Sequence, residues 1–239
     1  SAADRGRLLF LGVAYDEATG LITGQTTVTS QGVYTARRSY TTGVTTTTTT
    51  SLMTYDQYGR NLSSTAIIAQ AGASGSTLSN KYQTLTSGIT YDNASGLVTG
   101  QTTVTTQGVY AASVWTYTGV ATTNVETAIS YDRYGRTTGS TATVTQVGNG
   151  SSTFNNSYQT VTSGITYDNA SQVTGQTVTT TQGIWGTSWT YIGEATASVQ
   201  TLMTYDQYGR NKGSTAVITQ TGTAQTGGTL NNSYKTVTS

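Results

Sequence analysis

The chain has 239 residues, of which 34% are hydrophobic and 9% are charged, and its formal net charge is +1. This balance gives no electrostatic footprint for nucleic acid or for an anionic membrane surface. Because histidine and cysteine are both absent, His/Cys metal sites and the Ser-His-Asp and Cys-His catalytic arrangements are excluded. The longest apolar run, Leu8 to Ala14, is too short to span a bilayer, so we expect no membrane span.

Low hydrophobicity can indicate disorder, but disorder usually comes with high charge or abundant proline, and this chain has few charges and no proline. It is rich instead in threonine, valine, isoleucine and tyrosine, which suit a pleated surface. We therefore predict an ordered all-β protein. The lack of cysteine and the abundance of Thr, Ser, Gly and Asn favour an extracellular or cell-surface location.

In chain order, the first predicted element is an N-terminal strand within residues 1–14, which leads into Tyr15. The dipeptide Tyr-Asp then recurs with spacings of 40, 36, 40, 36 and 38 residues, beginning at Tyr15, Tyr55, Tyr91, Tyr131, Tyr167 and Tyr205. Self-similarity at a fixed period indicates an array of structural units, and the alternating spacing makes the true unit a pair. We predict a tandem β-hairpin repeat array of three double repeats, over residues 15–90, 91–166 and 167–239.

Each segment that begins at a Tyr-Asp is called a half-unit below. Short runs with period-two alternation recur at equivalent places in the half-units, among them residues 25–30, 64–69, 82–86 and 87–90. Their lengths predict three or four strands in each half-unit. Residues 41–50 resemble low-complexity sequence, but they align with residues 117–126 and are predicted to form an exposed strand. The alternation is equally compatible with a ribbon, a solenoid or a closed barrel.

Each Tyr-Asp is predicted to end a strand and to open a turn. In residues 55–60, Tyr-Asp-Gln-Tyr-Gly-Arg, the carboxylate can accept hydrogen bonds from backbone N–H groups and the glycine supplies a positive φ. The arginine can cover the aspartate or stack on a tyrosine. Six equivalent aspartates are more simply turn caps than catalytic acids, so we expect no enzyme and no cofactor. The predicted turn residues are Asp16, Asp56, Gly59, Arg60, Asp92, Asp132, Gly135, Arg136, Asp168, Asp206, Gly209 and Arg210.

The motif Tyr-Asp-x-Tyr-Gly-Arg at residues 55–60, 131–136 and 205–210 resembles the YD-repeat motif of the RHS family. Residues 15–22 and 91–98 are similar to variants of the same motif. That family consists of large bacterial secreted and surface proteins, with relatives among animal adhesion receptors. The resemblance implies a ribbon of β-hairpins that winds in a spiral, with tyrosines along one side.

Two weaker signals concern carbohydrate. The sequence Asn-x-Ser occurs six times, each time in a predicted turn or loop, which gives candidate glycosylation sites at Asn61, Asn93, Asn149, Asn155, Asn169 and Asn231. The tryptophans Trp115, Trp185 and Trp189 could form a platform on which sugars stack. The alternative, which we favour, is that they fill the interior of the ribbon.

The two ends of the array are out of phase. The chain stops after residues 234–239, just before the Gly-Ile-Thr strand that follows at Gly88 and Gly164, and an apolar segment takes that place before Tyr15. We therefore predict that copies pair head to tail by strand addition. The expected donor residues are Leu8, Leu9, Phe10 and Leu11, with Val237 in the acceptor.

These observations predict a structural subunit of an extracellular filament or sheath. Its expected partners are copies of itself and covalent glycans, with no nucleic acid. The alternatives are an adhesin stalk or carbohydrate-binding surface module, and a fragment of an RHS-type shell.

Overall fold

The computed structural model describes residues 7–34, 40–72, 79–148, 155–185, 189–190, 193–223 and 229–238. Over these ranges the chain forms strands and turns and contains no helix. The predicted all-β hairpin array is thereby confirmed. Accordingly, the described residues include no helix with the length and apolar character needed to cross a membrane.

The described residues form seventeen strands, and thirteen of them are long. They are β1 (Arg7–Tyr15), β2 (Ile22–Tyr34), β3 (Tyr40–Tyr55), β4 (Asn61–Ala71), β5 (Ser79–Tyr91), β6 (Val98–Gln107), β7 (Val109–Ala111), β8 (Val114–Thr116), β9 (Ala121–Tyr131), β10 (Thr137–Val147), β11 (Asn155–Tyr167), β12 (Val173–Gln182), β13 (Ile184–Trp185), β14 (Trp189–Thr190), β15 (Ala195–Tyr205), β16 (Asn211–Thr223) and β17 (Thr229–Thr238).

The long strands pair in chain order, from β1 to β17, and each strand pair for which the register is described is antiparallel. The chain divides into two compact units, Ser1–Ile89 with Thr102–Thr122 and Val147–Thr153, and Thr90–Gln101 with Thr123–Gln146 and Phe154–Ser239. In the first unit β1 to β5 are joined by successive hairpins. In the second unit the same pattern joins β11, β12, β15, β16 and β17.

Among the described residues each half-unit contributes two long strands, and those that begin at Tyr91 and Tyr167 each add two short ones. The expectation of three or four strands therefore holds for these two half-units and is wrong for those that begin at Tyr55, Tyr131 and Tyr205. The predicted strands at residues 82–86 and 87–90 are one continuous strand, β5. Gly88 lies inside that strand with a positive φ of 60°, so it forms a β-bulge and does not end the strand. A bulge adds one residue locally and lets the backbone hydrogen bonds continue beyond it. The resulting strand is longer than the usual strand length, on which the prediction of two separate strands was based.

The bulge recurs three residues before five of the six Tyr-Asp tyrosines. The residues that adopt a positive φ there are Leu52 (51°), Gly88 (60°), Ala128 (52°), Gly164 (61°) and Leu202 (53°). The pairing register shifts at the same points in β3, β11 and β15. Three of the five are not glycine, and a left-handed conformation costs such residues roughly 1–2 kcal/mol each. The repeat therefore maintains this backbone shape even where the side chain disfavours it.

Two of the three longer half-units, those that begin at Tyr91 and Tyr167, carry a small hairpin at the end remote from Tyr-Asp. Beyond Gln107 the chain leaves the long sheet to form the small hairpin β7–β8, and beyond Gln182 it forms β13–β14. At the first departure the N–H of Gly108 donates to the carbonyl oxygen of Lys81 at 2.7 Å. A Cβ at Gly108 would lie 2.8 Å from that oxygen, so only glycine fits.

No hydrophobic side chain of the described residues is buried, and the strands are largely half-buried along their length. The predicted strand at residues 41–50 lies within β3, where Thr45 to Thr48 are half-buried. Pairing with β2 and β4 confirms that this segment is a strand and not a linker, and Thr49 within it is exposed. Stability here comes from backbone ladders and from hydroxyl pairs such as Thr84–Thr105 (3.2 Å).

Candidate functional site

The Tyr-Asp ends of the hairpins hold most of the predicted turn residues. In the turn after Tyr55, Asp56 Oδ1 accepts hydrogen bonds from the backbone N–H groups of Tyr58 (2.8 Å) and Arg60 (2.9 Å). Asp56 Oδ2 accepts from Arg60 Nε at 2.6 Å, and Gly59 has a φ of 77°. The same arrangement recurs at Asp132, Gly135 and Arg136 and at Asp206, Gly209 and Arg210.

Two of the three turns without arginine satisfy their aspartates with a hydroxyl group, and the third uses backbone N–H groups alone among its described donors. Asp16 Oδ1 accepts from the N–H (2.8 Å) and Oγ1 (2.7 Å) of Thr19, and Asp92 accepts equivalently from Ser95. Asp168 accepts from the N–H groups of Ala170 and Gln172, both at 2.9 Å. In that shorter turn Ser171 takes the left-handed conformation, at a φ of 63°, that glycine provides elsewhere.

These hydrogen bonds change the acidity of the aspartates. At Asp206 the backbone N–H of Arg210 is the largest of the causes that lower the pKa of the carboxyl group. At Asp16 the largest is the hydroxyl of Thr19. At Asp56 desolvation raises the pKa, but the backbone and side-chain donors of Arg60 outweigh it and the net shift is downward. Carboxyl groups held ionised in this way act as acceptors for the turn.

At Tyr55, Tyr131, Tyr167 and Tyr205 the tyrosine of Tyr-Asp connects its half-unit to the one before it. The hydroxyl of Tyr131 donates to the carbonyl oxygen of Val98 at 2.6 Å, and Val98 is the first residue of the strand that follows the preceding turn. Equivalent bonds run from Tyr55 to Ile22, from Tyr167 to Thr137 (2.6 Å) and from Tyr205 to Val173 (2.6 Å). We call this bond the tyrosine latch. Sequence reasoning placed the tyrosines at strand ends but missed the latch, although the consistent choice of tyrosine over phenylalanine was a signal for it.

Arg136 reinforces the latch that Tyr167 makes. The guanidinium of Arg136 pairs with Asp132 at 2.7 Å and lies over the rings of Tyr134 (5.0 Å to the centroid) and Tyr167 (4.4 Å). Its Nη1 also lies 3.4 Å from the carbonyl oxygen of Asp168. Arg136 therefore connects its own turn to the next turn in the array. Its side chain is 24% exposed, whereas that of Arg210 is 74% exposed.

The predicted assembly residues lie on the two outermost strands. Leu8, Leu9 and Phe10 belong to β1, where their backbone pairs with residues 27–29 of β2, and Leu11 lies at a register shift in β1. Val237 belongs to β17, pairs with Thr215 and is exposed. The structure thus places the two predicted groups at opposite ends of the strand order.

The candidate glycosylation sites differ in accessibility. Asn93 and Asn169 are exposed in turns. The expectation that all six lie in turns or loops is wrong, because the strands begin directly after the turns and include Asn61, Asn155 and Asn231. The Asn61 amide donates to the carbonyl oxygen of Ser63 at 3.2 Å. Asn149 lies outside the described residues.

The tryptophans belong to the small hairpins. Trp115 is half-buried, with its ring 5.2 Å from that of Tyr110 and 5.8 Å from Lys81 Nζ. Trp185 and Trp189 are backbone partners across β13 and β14. The exposed aromatic side chains of the turns are tyrosines, and each has an arginine guanidinium over its ring, as at Tyr58, Tyr134 and Tyr208.

Comparison with known proteins finds no matching family model, no similar curated protein and no similar solved structure.

Proposed function

We propose that this chain is a structural subunit of an extracellular filament or sheath, and that copies of it assemble head to tail by addition of β-strands. The observation that carries the proposal is the strand order, in which β1 and β17 are outermost and each pairs with a neighbour on one side only. An unpaired strand edge presents N–H and C=O groups that can accept a further strand. The described residues bury no hydrophobic side chain, so assembly would add stability that the chain does not draw from a core.

The turn chemistry supports a structural role and not an enzymatic one. All six Tyr-Asp aspartates accept hydrogen bonds within their own turns. At five of them, Asp16, Asp56, Asp92, Asp132 and Asp206, these bonds lower the pKa of the carboxyl group, which makes it a poor general acid near neutral pH. The aspartates instead hold the turns between consecutive strands.

Deletion of residues 1–12 tests the assembly proposal. The truncated chain loses most of β1 and should remain monomeric, while the full chain forms filaments in electron micrographs. Replacement of Val109 and Val114 by alanine is the control, because both are exposed on the small hairpin β7–β8 outside the long sheet, and it should leave filaments unchanged. Filaments that persist without residues 1–12 would contradict strand addition through β1.

We further propose that the subunit carries glycans, with Asn93 and Asn169 as the best placed acceptors because both are exposed in turns. A glycan coat would also hinder edge-to-edge pairing between filaments. Intact-mass measurement of the protein secreted by its natural host should show added hexose mass that is lost in Asn93→Gln and Asn169→Gln. An unmodified mass would refute this part of the proposal.

A second candidate function is carbohydrate binding along the turns. It is favoured by Tyr58, Tyr134 and Tyr208, whose rings are exposed on the turns and offer an apolar surface on which a sugar can stack. Replacing all three by alanine should abolish binding on a glycan array and leave filament formation intact. A third proposal is that the chain is a fragment of an RHS-type shell, which its resemblance to YD-repeat proteins suggests. An open reading frame with many more Tyr-Asp units would support it.

A further inference from the structure

The latch between successive half-units gains a cation where the preceding turn contains Arg136. The Tyr167 hydroxyl donates to the carbonyl oxygen of Thr137, the residue after the arginine, at 2.6 Å. The Arg136 guanidinium lies 4.4 Å from the centre of the Tyr167 ring. Donor, acceptor and cation thus form one three-part joint.

Two residues carry the parts of such a joint without completing it. Tyr15 is 59% exposed, and its hydroxyl has no hydrogen-bond partner among the described residues, whereas the other five Tyr-Asp tyrosines are half-buried. At the other end, Arg210 is 74% exposed. It stacks on Tyr208 of its own turn, and no second tyrosine covers it within the described ranges.

The surroundings of Arg210 have room for an incoming tyrosine. Arg210 is followed by Asn211, which corresponds to Thr137, the acceptor of the Tyr167 latch. A groove of about 470 Å³ runs across β12, β15, β16 and β17, and its lining includes Tyr205, Asn211 and Thr238. Asn211 therefore borders an open space.

The pairing registers show which segment belongs there. β1 pairs with β2 as β11 pairs with β12, since Arg7↔Ser30 corresponds to Gln159↔Thr181 and Tyr15↔Ile22 corresponds to Tyr167↔Val173. β17 matches the first part of β11, because Tyr234 corresponds to Tyr158. Residues 12–15 therefore correspond to the last part of β11, which follows the part that β17 matches.

We propose that Tyr15 of a second copy of this chain closes onto Arg210 and Asn211, donating its hydroxyl to the Asn211 carbonyl and placing its ring against the guanidinium; this joint rests on the head-to-tail assembly proposed above. Residues 8–10 and 236–238 correspond to the same stretch of β11, so only one of the two segments can occupy it at the joint. The entering β1 takes that stretch, because it is the more apolar segment and remains paired with its own β2.

The test uses two variants that each damage one half of the joint. Tyr15→Ala removes the donor and the ring, and Arg210→Gln removes the cation but keeps a residue that the chain itself uses at the equivalent position, Gln172. In sedimentation velocity, Tyr15→Ala should weaken self-association about thirtyfold, the usual effect of truncating an anchoring tyrosine. Arg210→Gln should weaken it about fivefold.

Mixing the two variants tests directly whether Tyr15 of one copy joins Arg210 of another. One variant keeps an intact Arg210 and the other an intact Tyr15, so an equimolar mixture can form one sound joint and should give heterodimers at concentrations where each variant alone is monomeric. If the mixture stays monomeric, or if both variants polymerise as the full chain does, the joint is refuted. Association that does not depend on concentration, as in closure within one chain, also counts against it.

Controls separate this joint from the stability of the fold and from the broader proposal. Tyr15→Phe, which removes only the hydroxyl, should weaken association about fivefold and leave the thermal midpoint unchanged. Tyr131→Phe removes the equivalent latch within the chain and should lower the thermal midpoint without affecting association. A wild-type chain that never assembles would overturn the proposed function itself, whereas assembly that is indifferent to Tyr15 and Arg210 would overturn only the joint.

Discussion

The recurrent bulge before Tyr-Asp makes a sharp prediction, because the chain places glycine there in some half-units and a larger residue in others. Ala128 has a φ of 52° and Gly164, its counterpart in the next half-unit, has a φ of 61°. A Cβ added at Gly164 would meet no atom within 4 Å, so backbone conformation is the only cost of Gly164→Ala. We expect that substitution to lower the free energy of unfolding by about 1 kcal/mol.

The reverse exchange, Ala128→Gly, should raise the free energy of unfolding by about 1 kcal/mol, since it relieves the left-handed strain. Leu52 and Leu202 have the same conformation and largely exposed side chains, so their replacement by glycine loses little packing. The three bulges lie in separate hairpins, and the triple glycine variant should gain roughly 3 kcal/mol if the effects add.

Urea denaturation followed by circular dichroism measures both directions in one experiment, at a protein concentration low enough to keep the chain monomeric. The transition midpoint should fall for Gly164→Ala and rise for Ala128→Gly. Midpoints that do not move in either variant would refute the recurrent bulge, and so would a loss of stability in Ala128→Gly.

Three further substitutions and conditions test the turns and the small hairpins. Gly108→Ala should cost about 1–3 kcal/mol, because the new Cβ would lie 2.8 Å from the Lys81 carbonyl oxygen, whereas Gly12→Ala, with open space around it, should be nearly neutral in the same melts. Ser171→Gly should raise the free energy of unfolding by about 1 kcal/mol, since Ser171 has a φ of 63°, and a lower urea midpoint would contradict that turn conformation. The turn's backbone N–H donors lower the folded-state pKa of Asp206, so its contribution is fully present above the unfolded-state pKa of about 3.9 and is lost as the pH falls through the lower folded-state pKa. Thermal midpoints of the wild type should fall in acid more than those of Asp206→Asn, and parallel curves would show that the carboxylate does not cap the turn.

The architecture and the turns follow from local chemistry, and for that reason they were predictable. Tyr-Asp at a regular spacing, glycine four residues after the tyrosine, and alternating threonines predict hairpins that end at a tyrosine and turn at an aspartate. Asp56 and Gly59 take the places that this pattern indicates. Such turns depend only on residues adjacent in the chain.

The latch, the bulges and the small hairpins were not predictable in the same way, because they depend on neighbouring strands. Tyr131 reaches Val98, which is 33 residues earlier in the chain, and only the strand register brings the two together. Nothing in the sequence at Leu52 indicates a left-handed conformation. Its position in the strand pairing imposes that conformation. The sequence does not show that the chain leaves the long sheet at Gly108, because the requirement for glycine there comes from the Lys81 carbonyl oxygen on another strand.

The most direct test of head-to-tail assembly is sedimentation velocity of the unmodified chain over a wide range of concentration, followed by electron microscopy of the fastest species. The account predicts that sedimentation coefficients rise with concentration through a series of short oligomers, and that the largest species are unbranched filaments of uniform width. A single monomeric species at every concentration, or amorphous aggregates without filaments, would contradict it.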